Sequence, residues 1–167
     1  MKFTHVKSAM VAAAVLAFAL VSVPKSAFAG TATATIAVST TVTNTCTVNN
    51  GTLAFAAYTG TAITATGSFT VNCTNNGDYV IALNKGAGSG ASFTTRYMTN
   101  GTYTLGYNIY TTSSDTTVWG DGTGSTATVS GTGTGSSQTI SVYGAIPANE
   151  AAISGSYTDT ITATVTY

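Results

Sequence analysis

The sequence predicts an all-β fold of two packed antiparallel sheets, and three observations carry that prediction. After residue 29 the chain is a succession of short runs in which apolar and polar residues alternate with period two, the periodicity of a half-buried strand. Threonine fills 35 of the 138 positions from Gly30 to Tyr167, and all 18 glycines lie in the same stretch. β-Branched residues suit a pleated surface, and glycine and asparagine suit the turns between strands. No run in this stretch repeats with helical spacing.

The first 29 residues read differently. Lys2, His5 and Lys7 form a basic start, Ala9 to Val23 is largely apolar, and Ala27-Phe28-Ala29 places small residues where a signal peptidase reads them. This is the pattern of a secretory signal, with Gly30 as the expected new N-terminus. The competing reading is a membrane anchor, for which the apolar run is short. From Gly30 onward only Lys85 and Arg96 are basic, against Asp78, Asp115, Asp121, Glu150 and Asp159, for a net charge of −3. With no basic patch, no nucleic-acid partner is expected. Cys46 and Cys73, 27 residues apart, are expected to pair in the oxidising compartment to which a secretory signal leads. Such a link contributes about 3 kcal/mol, mainly by restricting the unfolded chain.

The elements follow in order. Residues 30–42 alternate, with Ala32, Ala34, Ile36 and Val38 on one face and Thr31, Thr33 and Thr35 on the other. A second run, Thr45 to Phe55, is interrupted at Asn50-Gly51. Gly67 to Cys73 aligns Phe69, Val71 and Cys73, then Asn76-Gly77 turns the chain into a run aligning Tyr79, Ile81 and Leu83. Lys85 to Ser92 is a small-residue loop, and a short strand is expected within Phe93 to Met98. After Asn100-Gly101 a strong strand aligns Tyr103, Leu105, Tyr107 and Ile109. The Asn-Gly pairs favour tight hairpin turns with two positive φ angles. Ser113 to Ser137 is irregular, with room for a short edge strand near Thr126 to Val129. Thr139 to Ile146 restores order until Pro147. The last run aligns Tyr157, Ile161, Ala163, Val165 and Tyr167, with threonine at every even position from 158 to 166.

Six well-supported strands follow residue 43, one fewer than the roughly seven of an immunoglobulin-type sandwich. A missing strand leaves apolar positions uncovered and backbone groups unpaired along a groove. The 30–42 segment has the pattern of a spare strand.

Much catalytic chemistry lacks its residues. The single histidine, His5, stands in the expected signal, so neither a histidine-dependent triad nor a histidine-ligated metal is available beyond it. Asp115 and Asp121 share a loop and could suggest calcium, but are read as turn formers. Gly120-Asp121-Gly122-Thr123-Gly124 lacks the lysine and the helix of a phosphate cradle. Trp119, the one tryptophan, is read as a core plug in preference to a ligand contact. The sequons at Asn50, Asn72 and Asn100 carry little weight in a threonine-rich chain. No catalytic residue, metal or cofactor is expected.

Several segments resemble the spore coat protein U domain family, which includes the subunits of archaic chaperone–usher pili. They are Arg96-Tyr97-Met98, Leu105-Gly106-Tyr107-Asn108-Ile109-Tyr110-Thr111, Trp119 to Gly124, Val142-Tyr143-Gly144-Ala145-Ile146-Pro147-Ala148 and Gly155-Ser156-Tyr157-Thr158-Asp159-Thr160, together with Leu53-Ala54-Phe55 and the two cysteines. The resemblance implies an incomplete immunoglobulin-like β-sandwich completed by a donated strand. It divides the chain into a signal peptide (1–29), a donor strand (30–42) carrying Ala32, Ala34, Ile36 and Val38, and a sandwich domain (43–167). Ile161, Ala163, Val165 and Tyr167 become the groove edge and chaperone contact. The implied partners are copies of the chain or sibling pilins joined head-to-tail, a periplasmic chaperone and an outer-membrane usher. The implied product is a surface fimbrium supporting adhesion and biofilm formation. Two alternatives are a self-contained secreted coat or matrix protein, with 30–42 completing its own sheet, and a sugar-binding adhesin, for which 138 residues leave little room.

Overall fold

The computed structural model describes residues 28–167; the expected signal segment lies almost wholly outside them. The chain divides into two units, the first ending at Ser39 and the second running from Thr40 to Tyr167. The described part of the first unit, 28–39, forms no regular secondary structure, and Ile36 and Val38 are 86% and 91% exposed. The alternation that predicts a strand at 30–42 is therefore present without a strand. The reason is physical: a β-strand has no internal hydrogen bonds and forms only when paired.

The second unit is all-β. Its strands are β1 (Cys46–Thr52), β2 (Ile63–Cys73), β3 (Asp78–Leu83), β4 (Arg96–Asn100), β5 (Tyr103–Tyr110), β6 (Val129–Thr132), β7 (Ser137–Ile146) and β8 (Ala163–Thr166). A five-stranded sheet has the order β1-β2-β7-β5-β4 and a three-stranded sheet the order β6-β3-β8. Every strand pair is antiparallel. The inward residues of both sheets form one core, in which Val71, Ile81 and Trp119 are fully buried. Phe69, Val71 and Cys73 of β2, Tyr79, Ile81 and Leu83 of β3, and Leu105, Tyr107 and Ile109 of β5 all face it, as their alternation predicts.

The three Asn-Gly pairs do three different things, and only one sits at a hairpin. At Asn100 the turn residues are Gly101 and Thr102, because Asn100 still pairs with Tyr103. Only Gly101 has positive φ (59°), so one glycine at the first turn position suffices. Asn76, at φ 59°, turns the chain from one sheet to the other, since β3 pairs with β6 and β8 and not with β2. Asn50-Gly51 does not turn the chain. It lies in an irregular stretch of β1 between Asn49 and Thr52, where a Cβ on Gly51 would overlap the Ser68 carbonyl of β2. Glycine is needed there for close approach of two backbones.

Candidate functional site: an open groove between the two sheets

β1 is an edge of the larger sheet and β8 an edge of the smaller. Between β1 and the C-terminal run lies an open groove of about 790 Å³. Val48 to Leu53 and Phe55 form one wall; Tyr157 and Asp159 to Ala163 form the other. The floor is core side chains: Phe69, Leu83, Tyr107, Ile109 and Val142. Past β1 the chain lays Leu53 and Phe55 over Gly144 of β7, where a Cβ would lie 2.7 Å from both side chains. Phe55 meets the edge of Tyr107, with ring centroids 6.2 Å apart. The groove thus has an apolar floor and mixed polar and apolar walls, and is bounded by two strand edges, the condition under which another strand can add.

One hydrogen-bonded polar pair reaches its floor. The Tyr107 hydroxyl donates to Asp159 Oδ2 at 2.7 Å. Asp159 Oδ1 accepts from the Ala87 backbone at 2.8 Å and from its own neighbour Thr160 at 2.7 Å. Gly86, at φ +86°, lies where a Cβ would strike the Asp159 carboxylate. Burial, and then the bond to Asp159, pushes the Tyr107 hydroxyl far above the ordinary tyrosine range, so it keeps its proton and acts as donor.

Beside the groove sits a buried arginine. Arg96 of β4 is fully buried. Its guanidinium donates to Asn108 Oδ1 (2.5 Å), to the Trp119 carbonyl (2.7 Å) and twice to the Asn84 carbonyl (3.1 and 2.8 Å). It also lies 5.6 Å from the centre of the Phe93 ring. Burial lowers its pKa, opposed by Tyr107, Asp159 and Tyr110, and an arginine so placed stays protonated. Asn108 donates to the Phe93 and Thr94 carbonyls, and the Trp119 indole donates to the Ile81 carbonyl at 3.0 Å. Arg96, Asn108 and Trp119, far apart in sequence, are parts of one network.

A family model, the Spore Coat Protein U domain, matches residues 32–164. The chain belongs to this family. It is 32% identical over 131 residues to Protein U of Myxococcus xanthus, covering 70% of this chain and 72% of that protein. Its fold is similar to a chain in the crystal structure of the CsuC–CsuE chaperone–tip adhesion subunit pre-assembly complex from the archaic chaperone–usher Csu pili of Acinetobacter baumannii. The TM-score is 0.56 at 22% identity, over 76% of this chain and 41% of that one. At that identity the likeness shows the fold. The chain spans about two-fifths of that solved chain's length.

Within this spore coat protein U domain, Cys46 and Cys73 are disulfide-bonded and stand opposite each other in the β1–β2 register. Ile161 and Ala163 line the groove. Val165, half-buried against the core, pairs with Ile81, while Tyr167 lies just past β8 and is 57% exposed. Ala32 and Ala34 are exposed, like Ile36 and Val38. Trp119 is a core plug. Asp121 Oδ1 accepts from the Thr123 backbone (2.9 Å) and hydroxyl (2.6 Å), as a turn-forming aspartate does.

The sequence reading missed the Tyr107–Asp159 pair and the β1 wall. Asp159 had one signal: it is the single acid in the alternating C-terminal run, at an inward position. Glu150 was also passed over. Its Oε2 accepts from the Gly106 backbone at 3.0 Å, and its own backbone N–H donates to the Tyr58 hydroxyl at 2.9 Å, which fastens the 147–156 loop to the sandwich.

Proposed function

We propose that this spore coat protein U domain chain is a structural subunit of a cell-surface pilus assembled by donor-strand exchange through a chaperone–usher pathway. The observation that carries the proposal is the open groove with an apolar floor between two strand edges, in a chain whose residues 30–42 hold an exposed alternating segment. Ala32, Ala34, Ile36 and Val38 of one copy fill the groove of the next. Burial of Ile36 and Val38 contributes roughly 1.5–3 kcal/mol each, and the added backbone ladder contributes more. Donor and acceptor lie at different places on the same chain, so the contacts are head-to-tail and do not close, and a fibre results. The division into signal peptide (1–29), donor strand (30–42) and sandwich (43–167) belongs to this reading. So does export through the periplasm to the cell surface, where the fibre supports adhesion and biofilm formation.

Before assembly the groove needs a temporary occupant, and the C-terminal run Ile161 to Tyr167 is the edge that a periplasmic chaperone would hold until the usher exchanges it. The Csu complex supports this part by its name, which describes a chaperone–subunit pre-assembly complex. The test is Ile36→Asp. The variant is exported and binds chaperone but forms no polymers, whereas the native chain gives an SDS-resistant ladder that collapses on boiling. Normal polymers from Ile36→Asp would overturn the donor-strand assignment, and a single native monomer band would favour a self-contained coat protein.

A further inference from the structure

A second hollow, of about 280 Å³, opens where β2 begins and where β5 and β7 end. It shares only Tyr107 with the groove, so a strand in the groove leaves it open. Ile146 and Pro147 contribute apolar lining; Tyr110, Asp115, Thr64 and Thr95 contribute polar lining, and no basic side chain lines it. Most polar groups around it are spent on the protein itself. Asn108 is bonded to Arg96 and to the Phe93 and Thr94 carbonyls, Thr94 Oγ1 lies 2.8 Å from Ser92 Oγ, and the hydroxyls of Thr112, Ser114 and Thr116 form a chain of their own. The Tyr110 hydroxyl, the Asp115 carboxylate and the Thr64 and Thr95 hydroxyls have no hydrogen-bond partner among the described residues, and none of them is sealed from solvent. Asp115 reaches the hollow from a turn closed by its own N–H on the Thr112 carbonyl at 3.3 Å, and it takes the left-handed conformation there (φ 52°) that aspartate and asparagine tolerate.

We infer that this hollow binds one neutral hexose ring of a glycan, with the Asp115 carboxylate accepting from two neighbouring ring hydroxyls and the Tyr110 hydroxyl donating to a third oxygen. The size selects a small ligand, because pockets for larger ones start at about 300 Å³. The chemistry selects a polyol. A hexose ring has C–H faces that suit Ile146 and Pro147, and hydroxyls that both donate and accept. A carboxylate has two oxygens to receive such a pair of donors, and threonine hydroxyls serve in either sense. Burial, and then the charge of Asp115, raises the Tyr110 pKa, so that hydroxyl keeps its proton to give. The charge selects a neutral ring. Asp115 repels an acidic sugar, and the buried Arg96 acts on Tyr110 from behind, which offsets the single carboxylate and weakens its hold on a cation. The site needs no second domain. In a fibre of the kind proposed above it recurs on every subunit, and repetition makes a weak site avid.

Saturation-transfer NMR on the exported chain tests this, with the methyl glycosides of glucose, mannose and galactose as neutral probes, glucuronate as the acidic one and glucosamine as the cationic one. At least one neutral glycoside is expected to bind with a Kd of about 1 mM, the range of a small ligand held by a few hydrogen bonds. Glucuronate is expected to bind more weakly. Asp115→Asn keeps the left-handed turn and loses the charge, and is expected to weaken binding at least about ten-fold; Tyr110→Phe is expected to weaken it about three- to ten-fold. Asp121→Asn removes an acid that does not line the hollow, and is expected to change nothing. Trp119 emission during unfolding checks that each variant is folded. No neutral binding well above that concentration, or binding that neither Asp115→Asn nor Tyr110→Phe weakens, would overturn the site. Binding of glucosamine alone would make it a cation site and overturn the sugar. The Ile36→Asp chain separates this inference from the fibre. It is expected to bind with the same affinity per subunit as native material, and binding seen only in polymers would place the ligand at a junction between copies and overturn the hollow as its site.

Discussion

Replacing Arg96 by methionine removes the guanidinium and keeps an unbranched side chain to fill part of the space. The Trp119 and Asn84 carbonyls then lose the donors described above. Asn108 Oδ1 keeps the Ile109 backbone N–H at 2.9 Å and is not orphaned. Two carbonyls deprived of partners cost about 1–3 kcal/mol each, and methionine recovers some packing. The net loss is about 2–5 kcal/mol, against a total of roughly 5–15 for a domain of this size. Trp119, the one tryptophan in the chain, is fully buried beside the substituted group, so its emission during denaturant unfolding reads the network directly. The expected result is a large fall in the unfolding midpoint with an unchanged slope. Arg96→Lys is expected to recover only part of the loss, because one ammonium cannot reach three acceptors held in a planar fork. A stability within about 0.5 kcal/mol of native for Arg96→Met would refute the reasoning and make the arginine a filler.

Three further outcomes follow from the same contacts. Replacing Cys46 and Cys73 together by serine is expected to cost about 3 kcal/mol, measured by unfolding beside the native chain with and without reductant. Gly51→Ala brings a Cβ into the Ser68 carbonyl and to 2.6 Å from the Phe69 Cβ, so β1 must move off β2; a loss of about 1–3 kcal/mol and faster amide exchange along β1 are expected. Removing Val165 to Tyr167 takes away half of the β3–β8 pairing, in which Val80 meets Thr166 and Ile81 meets Val165. The periplasmic yield of that truncated chain should fall, and unchanged yield and assembly would show that the strand end is no handle.

The fold class was legible because alternation survives wherever one strand face is buried: Phe69, Val71 and Cys73, or Tyr79, Ile81 and Leu83, announce themselves by spacing alone. The groove was not legible as a strand deficit: six strands were expected after residue 43, and eight form, the short β4 and β6 adding to the count. Its lining combines Val48, Phe69, Tyr107 and Ile161, whose meeting depends on which strands end up at sheet edges, and that is settled by long-range pairing. Asn50-Gly51 shows the limit of local rules. The dipeptide has the chemistry of a turn, but pairing of β1 with β2 on both sides of it overrides that preference and turns a conformational asset into a steric one. Arg96 shows the converse. Nothing in its neighbourhood marks it as buried, because the groups that make burial tolerable come from Asn84, Asn108 and Trp119.

These polar contacts share a direction. Arg96, in the larger sheet, is tied to Asn84 at the end of β3, in the smaller one. Trp119, bonded to Ile81 of β3 and to the Ile109 carbonyl of β5, ties the same two sheets. Asp159 joins Tyr107 of β5 to the loop after β3. Among the described residues no hydrogen bond joins β1 to β8. The sandwich is pinned along β3, β4 and β5 by groups that need fixed geometry, and left unpinned where β1 and β8 face each other across side chains that need only contact. Hydrogen-bonded carbonyls resist sliding, whereas an apolar groove can accept one strand, release it and accept another without leaving a polar group stranded.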